Sequence, residues 1–434
     1  MKLSLIELNE INFDLVNRYL EQGLVLRNFQ KLLLSEKFCT VSEAEHIEVE
    51  PWIQWPSVHT GLKYEEHDIF RLGDVVSTTH KQIFEKVEAL GYKVGVLSAM
   101  NARNDLAGGG YFIPDPWTVT KTSKQWYVQW IANSLRQAVN DNSEEKLSVK
   151  TVLGLSLSLL YLLPISRLIY LSTKLPWALS KKWRKALFLD MLLCELFFAL
   201  NKKEKVEFGT VFFNAGAHIQ HHYLISSSIV NNSNIGNPDW YVEPGFDPLR
   251  EALLVYDQIL KRFYDEGYEF ILATGLSQDP VKQPVFYYRL KSHDTFLKLL
   301  GIEFLAVFPR MTRDFLIKFD NNAQRDAAAQ KLREIKLGNC RVFDQIEYRE
   351  KELFVVSDYP HEIVPSSIVD LGDGRKVDLY DEFVFVALKN GEHNPKGYVF
   401  FSDGIQNPVS GSGVHVCELH NIIYQSFLKK KPDR

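Results

Sequence analysis

The stretch Glu50-Pro-Trp-Ile-Gln-Trp-Pro-Ser-Val-His-Thr-Gly-Leu62, followed by the pair Glu66-His67, carries the strongest local pattern in the chain. A segment that contains Pro and Ser and ends in Thr60-Gly61 predicts a short helix. The N-terminus of a helix attracts anions, because its free N–H groups and the helix dipole present positive charge there. Glu50, at the start of the predicted helix, and His59, within it, are therefore candidate site residues.

Short apolar runs alternate with helical segments on both sides of this stretch. Predicted strands cover residues 3–8, 93–97, 209–213 and 270–273, and predicted helices cover residues 13–22 and 82–90. Strands that alternate with helices and end at polar or Gly residues indicate an α/β fold, with a mostly parallel sheet flanked by helices and a site at the carboxyl ends of the strands. Four polar residues are then expected along one edge of the sheet: Asn9, Asn101, Asn214 and Thr274.

Two other segments interrupt this predicted core. The residues from about 126 to 205 are mostly helical in pattern, and those from about 304 to 386 follow the order strand, helix, strand, strand. The second pattern is typical of a small α+β cap. We therefore predict a core in three parts (1–125, 206–303 and 387–434), a helical insertion (126–205) and a cap (304–386).

The helical insertion contains an unusually apolar run. Arg167 is the one charged residue between Thr151 and Ser172, and Pro164 interrupts the run. Its uncharged part is shorter than the roughly 20 apolar residues that a spanning helix needs. A basic and aromatic cluster follows: Lys174, Trp177, Lys181, Lys182, Trp183, Arg184 and Lys185. This combination predicts binding to the anionic cytoplasmic face of a membrane; the alternative is a helical hairpin packed on its own core.

Several motifs together resemble the alkaline phosphatase superfamily, in particular its type I phosphodiesterase and nucleotide pyrophosphatase branch. They are the Thr60-Gly61-Leu62 turn, the segment from Asn214 to Tyr223, the Thr274-Gly275 strand end and the final His-containing segment. The resemblance covers most of the chain. It implies an alkaline-phosphatase-like core with two divalent ions, usually zinc, that stabilise the attacking and leaving oxygens of phosphoryl transfer.

Most positions to which the resemblance assigns metal ligands hold other residues. The carry-over assigns ligand positions to Asn9, Asn214, His218, Thr274, Gly275 and either His393 or His415, and the nucleophile position to Pro51. Because neutral side chains replace several acids, the negative charge that would hold two divalent ions is mostly lost. A two-metal site is therefore not expected, unless a shift in register lets Glu7, Glu10, Glu48 and Glu50 replace the missing ligands.

The polar residues that remain suit a one-step group transfer without a metal. A Glu near a His acts as a general base, and helix N-termini with Arg103 stabilise a departing phosphate. The predicted catalytic residues are Glu7, Glu50 and His218. The predicted substrate-binding residues are Asn9, Gln54, His59, Asn101, Arg103, Asn214, His222, Thr274, His393 and His415.

Several of these residues have a structural alternative. Glu7 lies between Ile6 and Leu8; its structural alternative is to face solvent or to form a salt bridge. The three residues His218, His221 and His222 either bind a single metal or simply begin a helix. Asn101 and Arg103 either contact the substrate or stabilise a turn.

The overall composition excludes some classes of protein. A net charge of −4 over 434 residues argues against a general nucleic-acid binder, which needs a clustered basic excess. The four cysteines, Cys39, Cys194, Cys340 and Cys417, lie far apart in the sequence, which suits reduced thiols in a cytosol. The first residues resemble a buried strand and not a signal peptide. We therefore expect a cytoplasmic protein, peripheral on the inner face of the membrane.

The predicted function is metal-independent group transfer from a phosphate-linked donor, a nucleotide-sugar or a polyprenyl-phosphate-linked glycan, in surface-polysaccharide assembly. No cofactor is expected, with the binding of a single divalent metal ion as the alternative. The expected partners are a phosphorylated sugar or lipid-linked glycan and the membrane surface. The first alternative is a phosphodiesterase or phosphatase of the superfamily with a rearranged metal site, and the second is a non-catalytic binding scaffold.

Overall fold

The computed structural model describes residues 2–140, 148–230, 236–310, 313–371, 374–405 and 413–429. The strands are β1 (Leu3–Leu8), β2 (Lys37–Val41), β3 (Val94–Leu97), β4 (Tyr111–Ile113), β5 (Phe208–Phe213), β6 (Glu269–Ala273), β7 (Ser277–Leu290), β8 (Ala306–Pro309), β9 (Asp314–Lys318), β10 (Lys336–Leu337), β11 (Cys340–Arg341), β12 (Ile346–Arg349), β13 (Glu352–Val356), β14 (Ile368–Asp370), β15 (Lys376–Asp378), β16 (Phe383–Asn394), β17 (Lys396–Phe401) and β18 (Val414–His415). The helices are α1 (Phe13–Glu21), α2 (Arg27–Leu34), α3 (Pro51–Thr60), α4 (Tyr64–His67), α5 (Ile83–Ala89), α6 (Trp126–Asn140), α7 (Val149–Leu162), α8 (Ile165–Leu179), α9 (Lys182–Glu204), α10 (Ala215–Tyr223), α11 (Pro248–Asp265), α12 (His293–Leu299), α13 (Asn322–Glu334), α14 (Leu379–Glu382) and α15 (Glu418–Leu428). Short 3₁₀ turns cover His46–Glu48, Asp74–Ser77 and Leu224–Ser226.

The central sheet has eight strands in the order β18-β2-β17-β6-β1-β5-β3-β4. The strands from β6 to β4 are parallel, whereas β17 runs antiparallel to β6 and to β2. Every residue of β1 and of β5 is buried, because helices cover both faces of a sheet of this kind. The predicted α/β class with a mostly parallel sheet is confirmed, and the apolar runs predicted as strands coincide with β1, β3, β5 and β6.

Two apolar cores lie on opposite faces of the sheet. One core contains Phe13 of α1 and Phe197 of α9. The other contains Trp55 of α3, Phe84 of α5 and Phe427 of α15. Because side chains alternate along a strand, every second residue of β1 faces α3.

The carboxyl ends of three neighbouring strands meet at one edge of the sheet. Asn9 follows β1, Asn214 follows β5 and Thr274 follows β6. The helices α3 and α10 begin close to this edge, at Pro51 and Ala215. This edge is the usual position of a ligand site in an open parallel sheet.

A long antiparallel ribbon, formed by β7 and β16, leads from the sheet edge to a smaller α+β unit. In that unit the antiparallel sheet β12-β13-β9-β8 packs with α13 on a core that includes Phe315, Leu332 and Val355. The order strand, helix, strand, strand was expected in this part of the chain. The domain boundaries given above stay a prediction.

The segment from α6 to α9 is helical throughout its described residues. α7 packs on α6, and α8 packs on α9, which in turn covers β5. Within the described ranges, none of the helices combines the length and the apolar character that crossing a bilayer requires.

Candidate functional site

Glu10 lies just after β1 in a backbone conformation that residues other than glycine rarely adopt. Its φ is +60°, and the left-handed region costs an L-residue roughly 1–2 kcal/mol. Hydrogen bonds hold this turn: Asn9 N donates to Phe213 O (3.1 Å), Glu10 N donates to Thr274 O (3.0 Å) and Gln220 Nε2 donates to Glu10 O (2.8 Å). Because backbone strain of this kind concentrates at functional sites, it marks Glu10 as a candidate site residue.

Two histidines and a glutamine face the Glu10 carboxylate. His221 Nε2, from α10, lies 3.0 Å from Glu10 Oε2, and His393 Nε2, from β16, lies 3.2 Å from the same oxygen. Gln278 Nε2 donates a hydrogen bond to this oxygen as well. His393 and Gln278 approach together because they are direct partners across the ribbon of β16 and β7.

The charges in this cluster depend on one another. Burial alone raises the pKa of Glu10, but the adjacent His221 and His393 more than offset this effect and hold the pKa well below its usual value. Burial alone lowers the pKa of His393, yet the carboxylates of Glu10 and Glu50 raise it to about 10. At neutral pH Glu10 is therefore ionised, and His393 is protonated when protons alone occupy the cluster.

Glu50 supports His393 from the other side of the imidazole ring. It is the N-cap residue of α3, but its side chain makes no capping hydrogen bond to the helix. Instead, Glu50 Oε2 lies 3.3 Å from His393 Nδ1. A histidine that offers one ring nitrogen to a metal commonly has its second nitrogen next to a carboxylate, which orients the ring and raises its basicity.

The donor set of Glu10, His221 and His393 suits one divalent ion. Each residue offers one ligand atom, and these atoms lie within 4.8 Å of one another. Two imidazoles and a carboxylate form a donor set found in catalytic zinc sites, which keep a further position open. The His221 side chain is 31% exposed, so the cluster is accessible from that side. The neutral side chains of Asn9, Asn214 and Thr274 do not suit a second ion.

Asn9 connects the cluster to the neighbouring strand end and to α3. Its Nδ2 donates to Glu10 Oε1 (2.8 Å) and to Asn214 Oδ1 (2.9 Å), while its Oδ1 accepts from Trp55 Nε1 (2.8 Å). An Asp at this position would accept from Trp55 but would repel the Glu10 carboxylate. The amide of Asn9 thus donates hydrogen bonds to Glu10 and Asn214 and accepts one from Trp55, and a carboxylate could not make all three bonds.

Glu7 and His59 form a buried pair beneath this layer. Glu7 Oε1 lies 3.0 Å from His59 Nε2 and accepts a hydrogen bond from Thr210 Oγ1 (2.8 Å). The side chains of Glu7 and His59 are fully buried. Of the two orientations open for Glu7, solvent and salt bridge, the structure has the second. Neither residue contacts Glu10 among the described interactions.

Two predicted substrate contacts from the loop after β3 hold that loop in place. Asn101 Nδ2 donates to Trp52 O (2.8 Å). The Arg103 guanidinium donates to Val75 O (3.1 Å) and forms an ion pair with Asp105 (2.5 Å). These bonds correspond to the turn-stabilising alternative.

The histidines of α10 divide between two faces of the helix. His221 points to Glu10, whereas His218 is exposed and its ring lies 4.8 Å from that of His222, centroid to centroid. His222 Nδ1 donates to Leu388 O (2.9 Å) in β16. Of these three histidines, His221 alone belongs to the metal-suited cluster within the described residues.

The other predicted site residues lie in structural positions. Gln54 Nε2 donates to a backbone oxygen at the start of α3, that of Glu48 (3.1 Å). Thr274 Oγ1 accepts a hydrogen bond from the backbone of β17. His415 lies on β18, the outermost strand on one side of the sheet, with its Nε2 3.0 Å from Glu43 Oε1.

The sequence placed Asn9, Glu50 and Asn214 at this edge, and the resemblance assigned a ligand position to His393 or His415. In the structure Asn9 bonds to Asn214, and Glu50 lies beside His393. Glu10 entered only as a replacement ligand, His221 only as one of three histidines, and Gln278 not at all. The position of Glu10, directly after a predicted buried strand, was a usable signal. Gln278 gave none, because its role depends on the pairing of β7 with β16.

Comparisons with known proteins found similarity at the level of solved structures. No family model and no curated protein matches the chain. Phosphonoacetate hydrolase from Sinorhizobium meliloti 1021 matches with a TM-score of 0.44 and 10% identity, over 98% of this chain and 96% of that chain. Murine ectonucleotide pyrophosphatase/phosphodiesterase 5 matches with a TM-score of 0.42 and 9% identity, over 99% and 95%.

Wild-type alkaline phosphatase PafA matches with a TM-score of 0.43 and 12% identity, over 99% of this chain and 95% of that chain. Identities of 9–12% and TM-scores below 0.5 say nothing about the reaction of this chain.

Proposed function

We propose that this protein hydrolyses phosphoric esters at the cluster of Glu10, His221 and His393, with one divalent cation as its cofactor. The observation that carries the proposal is the approach of two imidazoles and one ionised carboxylate within 4.8 Å at the carboxyl edge of a parallel sheet. Zinc is the ion that this donor set fits best. The proposal replaces metal-independent transfer by the hydrolase alternative as the main hypothesis.

The residues of the chain have separate tasks in this proposal. A divalent cation, when bound, polarises a phosphoryl oxygen and makes water a stronger nucleophile at neutral pH. Glu10 contributes the negative charge, Glu50 orients the His393 ring, and the exposed edge of His221 marks the side from which the ester enters.

Direct attack by water suits the start of α3. Pro51 begins that helix and has no nucleophilic atom, so a covalent phospho-enzyme at this position is excluded. In the proposed reaction a water oxygen forms a bond to phosphorus and gives up a proton, the P–O bond to the leaving group breaks, and the leaving oxygen takes up a proton and departs as the alcohol. Asn214, at the same strand end, is a candidate hydrogen-bond donor to a phosphoryl oxygen.

Metal content and turnover test the proposal together. We expect purified protein to hold about one equivalent of zinc, as required by a single three-ligand site, and to hydrolyse bis(p-nitrophenyl) phosphate or p-nitrophenyl phosphate. A chelator should abolish turnover, and added zinc should restore it. Protein that binds no divalent ion and hydrolyses neither ester would contradict the proposal.

Single variants connect the activity to the cluster. His221→Ala should remove the bound metal and the activity, because it deletes a ligand. Glu50→Ala should retain partial function, with metal affinity or turnover reduced about 10–100-fold. His361→Ala is the matched control, since His361 is exposed in the α+β unit. His218→Ala separates the two hypotheses for α10: an exposed His218 predicts nearly unchanged turnover.

A second candidate is metal-independent group transfer from a nucleotide-sugar or a polyprenyl-phosphate-linked glycan. It is supported by the position of His393, which lies 3.2 Å from the Glu10 carboxylate and 3.3 Å from the Glu50 carboxylate. A protonated His393 therefore balances the negative charge of these carboxylates without a metal ion. Such a His and Glu pair serves as a general acid and base. Transfer that persists in metal-free protein and ignores chelators would favour this candidate, and inactivity in both assays would favour a binding scaffold.

A further inference from the structure

The helices α7 and α8 expose an unusual number of large apolar side chains. Ten of them have between 44% and 77% of their surface accessible. They are Val149, Val152, Leu153, Leu157, Leu160, Tyr161, Ile165, Ile169, Leu175 and Leu179. Along α7 and α8 these positions recur mainly three or four residues apart, so on each helix they share one face. Such a cluster is typical of an interaction site, because exposed single residues are common but clusters are not.

The amphipathic pattern of α7 is inverted relative to a helix that packs on its own core. Thr151, Gly154 and Ser158 are its buried residues, and a Cβ at Gly154 would lie 2.2 Å from the Trp130 ring of α6. The leucines at positions 153, 157 and 160 lie on the opposite, exposed face. A core-facing helix normally buries its leucines, so α7 uses its small residues for internal packing and leaves its apolar stripe for another surface.

The exposed apolar residues belong to a stretch of the chain whose charged residues are all basic. Residues 148–189 contain seven basic residues and no Asp or Glu. Three of them form ion pairs: Arg167 with Glu195 (3.5 Å), Lys181 with Glu243 (2.5 Å) and Arg184 with Glu251 (2.6 Å). The exposed lysines of this stretch are Lys150, Lys174, Lys182 and Lys185.

We propose that α7 and α8 lie on the surface of an anionic phospholipid bilayer, with their apolar faces in the interfacial region and their lysines at the lipid phosphates. Apolar burial and attraction of lysines to anionic lipids add together in such an arrangement. A second copy of the chain is a poorer occupant, because a symmetric contact would bring two basic rims together. This inference is independent of the reaction proposed above, since it uses none of the cluster residues.

Vesicle cosedimentation tests the inference with the full chain. Vesicles of phosphatidylcholine alone are compared with vesicles of equal parts phosphatidylcholine and phosphatidylglycerol. We expect binding to the anionic vesicles that weakens as salt is added, because salt screens the lysines. Wild-type protein that binds neither kind of vesicle at low salt would overturn the inference.

The apolar contribution is tested by the triple variant Leu153→Ser, Leu157→Ser and Leu160→Ser. Its partition onto anionic vesicles should fall by about 100-fold or more, given the apolar area that three leucines contribute. The matched control is Leu34→Ser, Ile47→Ser and Leu305→Ser, three exposed apolar residues elsewhere in the chain, which should bind as the wild type does. Equal binding of both triple variants would contradict the proposal.

The charge contribution is tested by Lys182→Glu with Lys185→Glu, at exposed positions on α9. This variant should lose about 10-fold or more in partition onto anionic vesicles, with unchanged far-UV circular dichroism.

Light scattering without lipid tests whether a second copy of the chain covers the apolar residues instead. A wild-type dimer that the triple serine variant converts to a monomer, in the absence of vesicle binding, would identify a second copy as the occupant and reject the bilayer.

Discussion

At the scale of single residues, Asn9 shows how a neutral amide is adapted to its neighbours. Its Nδ2 lies 2.8 Å from a Glu10 oxygen, so a carboxylate at this position would face a second carboxylate at hydrogen-bond distance. Asn9→Asp should therefore destabilise the metal-free protein, on the order of 1–3 kcal/mol for a lost buried hydrogen bond and the added repulsion. Added zinc should recover most of this loss.

Thermal unfolding of Asn9→Asp with a chelator and with zinc measures both effects. Asn421→Asp is a suitable control, because Asn421 is exposed on α15. A melting temperature of Asn9→Asp that equals that of the control in the chelator would show that the repulsion is absent.

His415 and Glu43 give a pH dependence that is separate from the candidate site. Burial alone lowers the pKa of His415, but its contacts with Cys417 and Glu43 raise it to about 9. Because the folded pKa exceeds the unfolded value of about 6.5, the stabilisation is complete below pH 6.5 and is lost as the pH rises through 9. Although burial alone raises the pKa of Glu43, hydrogen bonds with His415 and Tyr64 lower it, so its own contribution is lost in acid.

His415→Gln should therefore remove part of the stability measured near pH 6 and little of it above pH 9. The difference is on the order of 2 kcal/mol, from the size of the pKa shift. Urea unfolding across this pH range is the measurement. Parallel stability curves for the variant and the wild type would contradict the assignment.

At the scale of secondary structure elements, the ribbon of β7 and β16 determines whether His393 reaches Glu10. Gly391 lies where this ribbon passes α10, and a Cβ at this position would lie 2.2 Å from Gln278 Oε1 and 2.7 Å from Gln220 O. Gly391→Ala should therefore push β16 away from α10 and separate His393 from His221. We expect metal affinity or turnover to fall about 10-fold or more, as misplaced ligands do.

Gly236→Ala is the matched control for this variant, because no atom of the described residues lies within 4 Å of the added carbon. Metal titration and turnover of the two variants should differ, while both keep the circular dichroism of the wild type. Unchanged metal binding by Gly391→Ala would show that the ribbon tolerates the shift.

At the scale of the whole molecule, the cluster joins three distant parts of the chain. Glu10 follows β1, His221 lies on α10 and His393 lies on β16, so an ion bound by all three stabilises the folded state against the unfolded one. Zinc at 100 times its dissociation constant should add about 2.7 kcal/mol to the free energy of unfolding. His221→Gln should abolish this gain, whereas His361→Gln should keep it; equal gains in both variants would place the ion elsewhere.

Local sequence pattern was sufficient to predict four of the eight strands of the central sheet. Apolar runs that end at polar residues identified β1, β3, β5 and β6, because a strand buried on both faces needs apolar residues throughout its length. The carboxyl ends of parallel strands meet at one edge, and this was enough to bring Asn9 and Asn214 together. These are consequences of local pattern, which a single sequence carries.

The membership of the cluster, in contrast, depends on tertiary contacts. The sequence favoured His218, but the rotation of α10 against the ribbon turns His221 toward Glu10 instead. The left-handed turn at Glu10 and the pairing of Gln278 with His393 depend on contacts between residues more than a hundred positions apart. Local periodicity carries no information about such contacts, because the packing of distant elements fixes helix rotation and strand register.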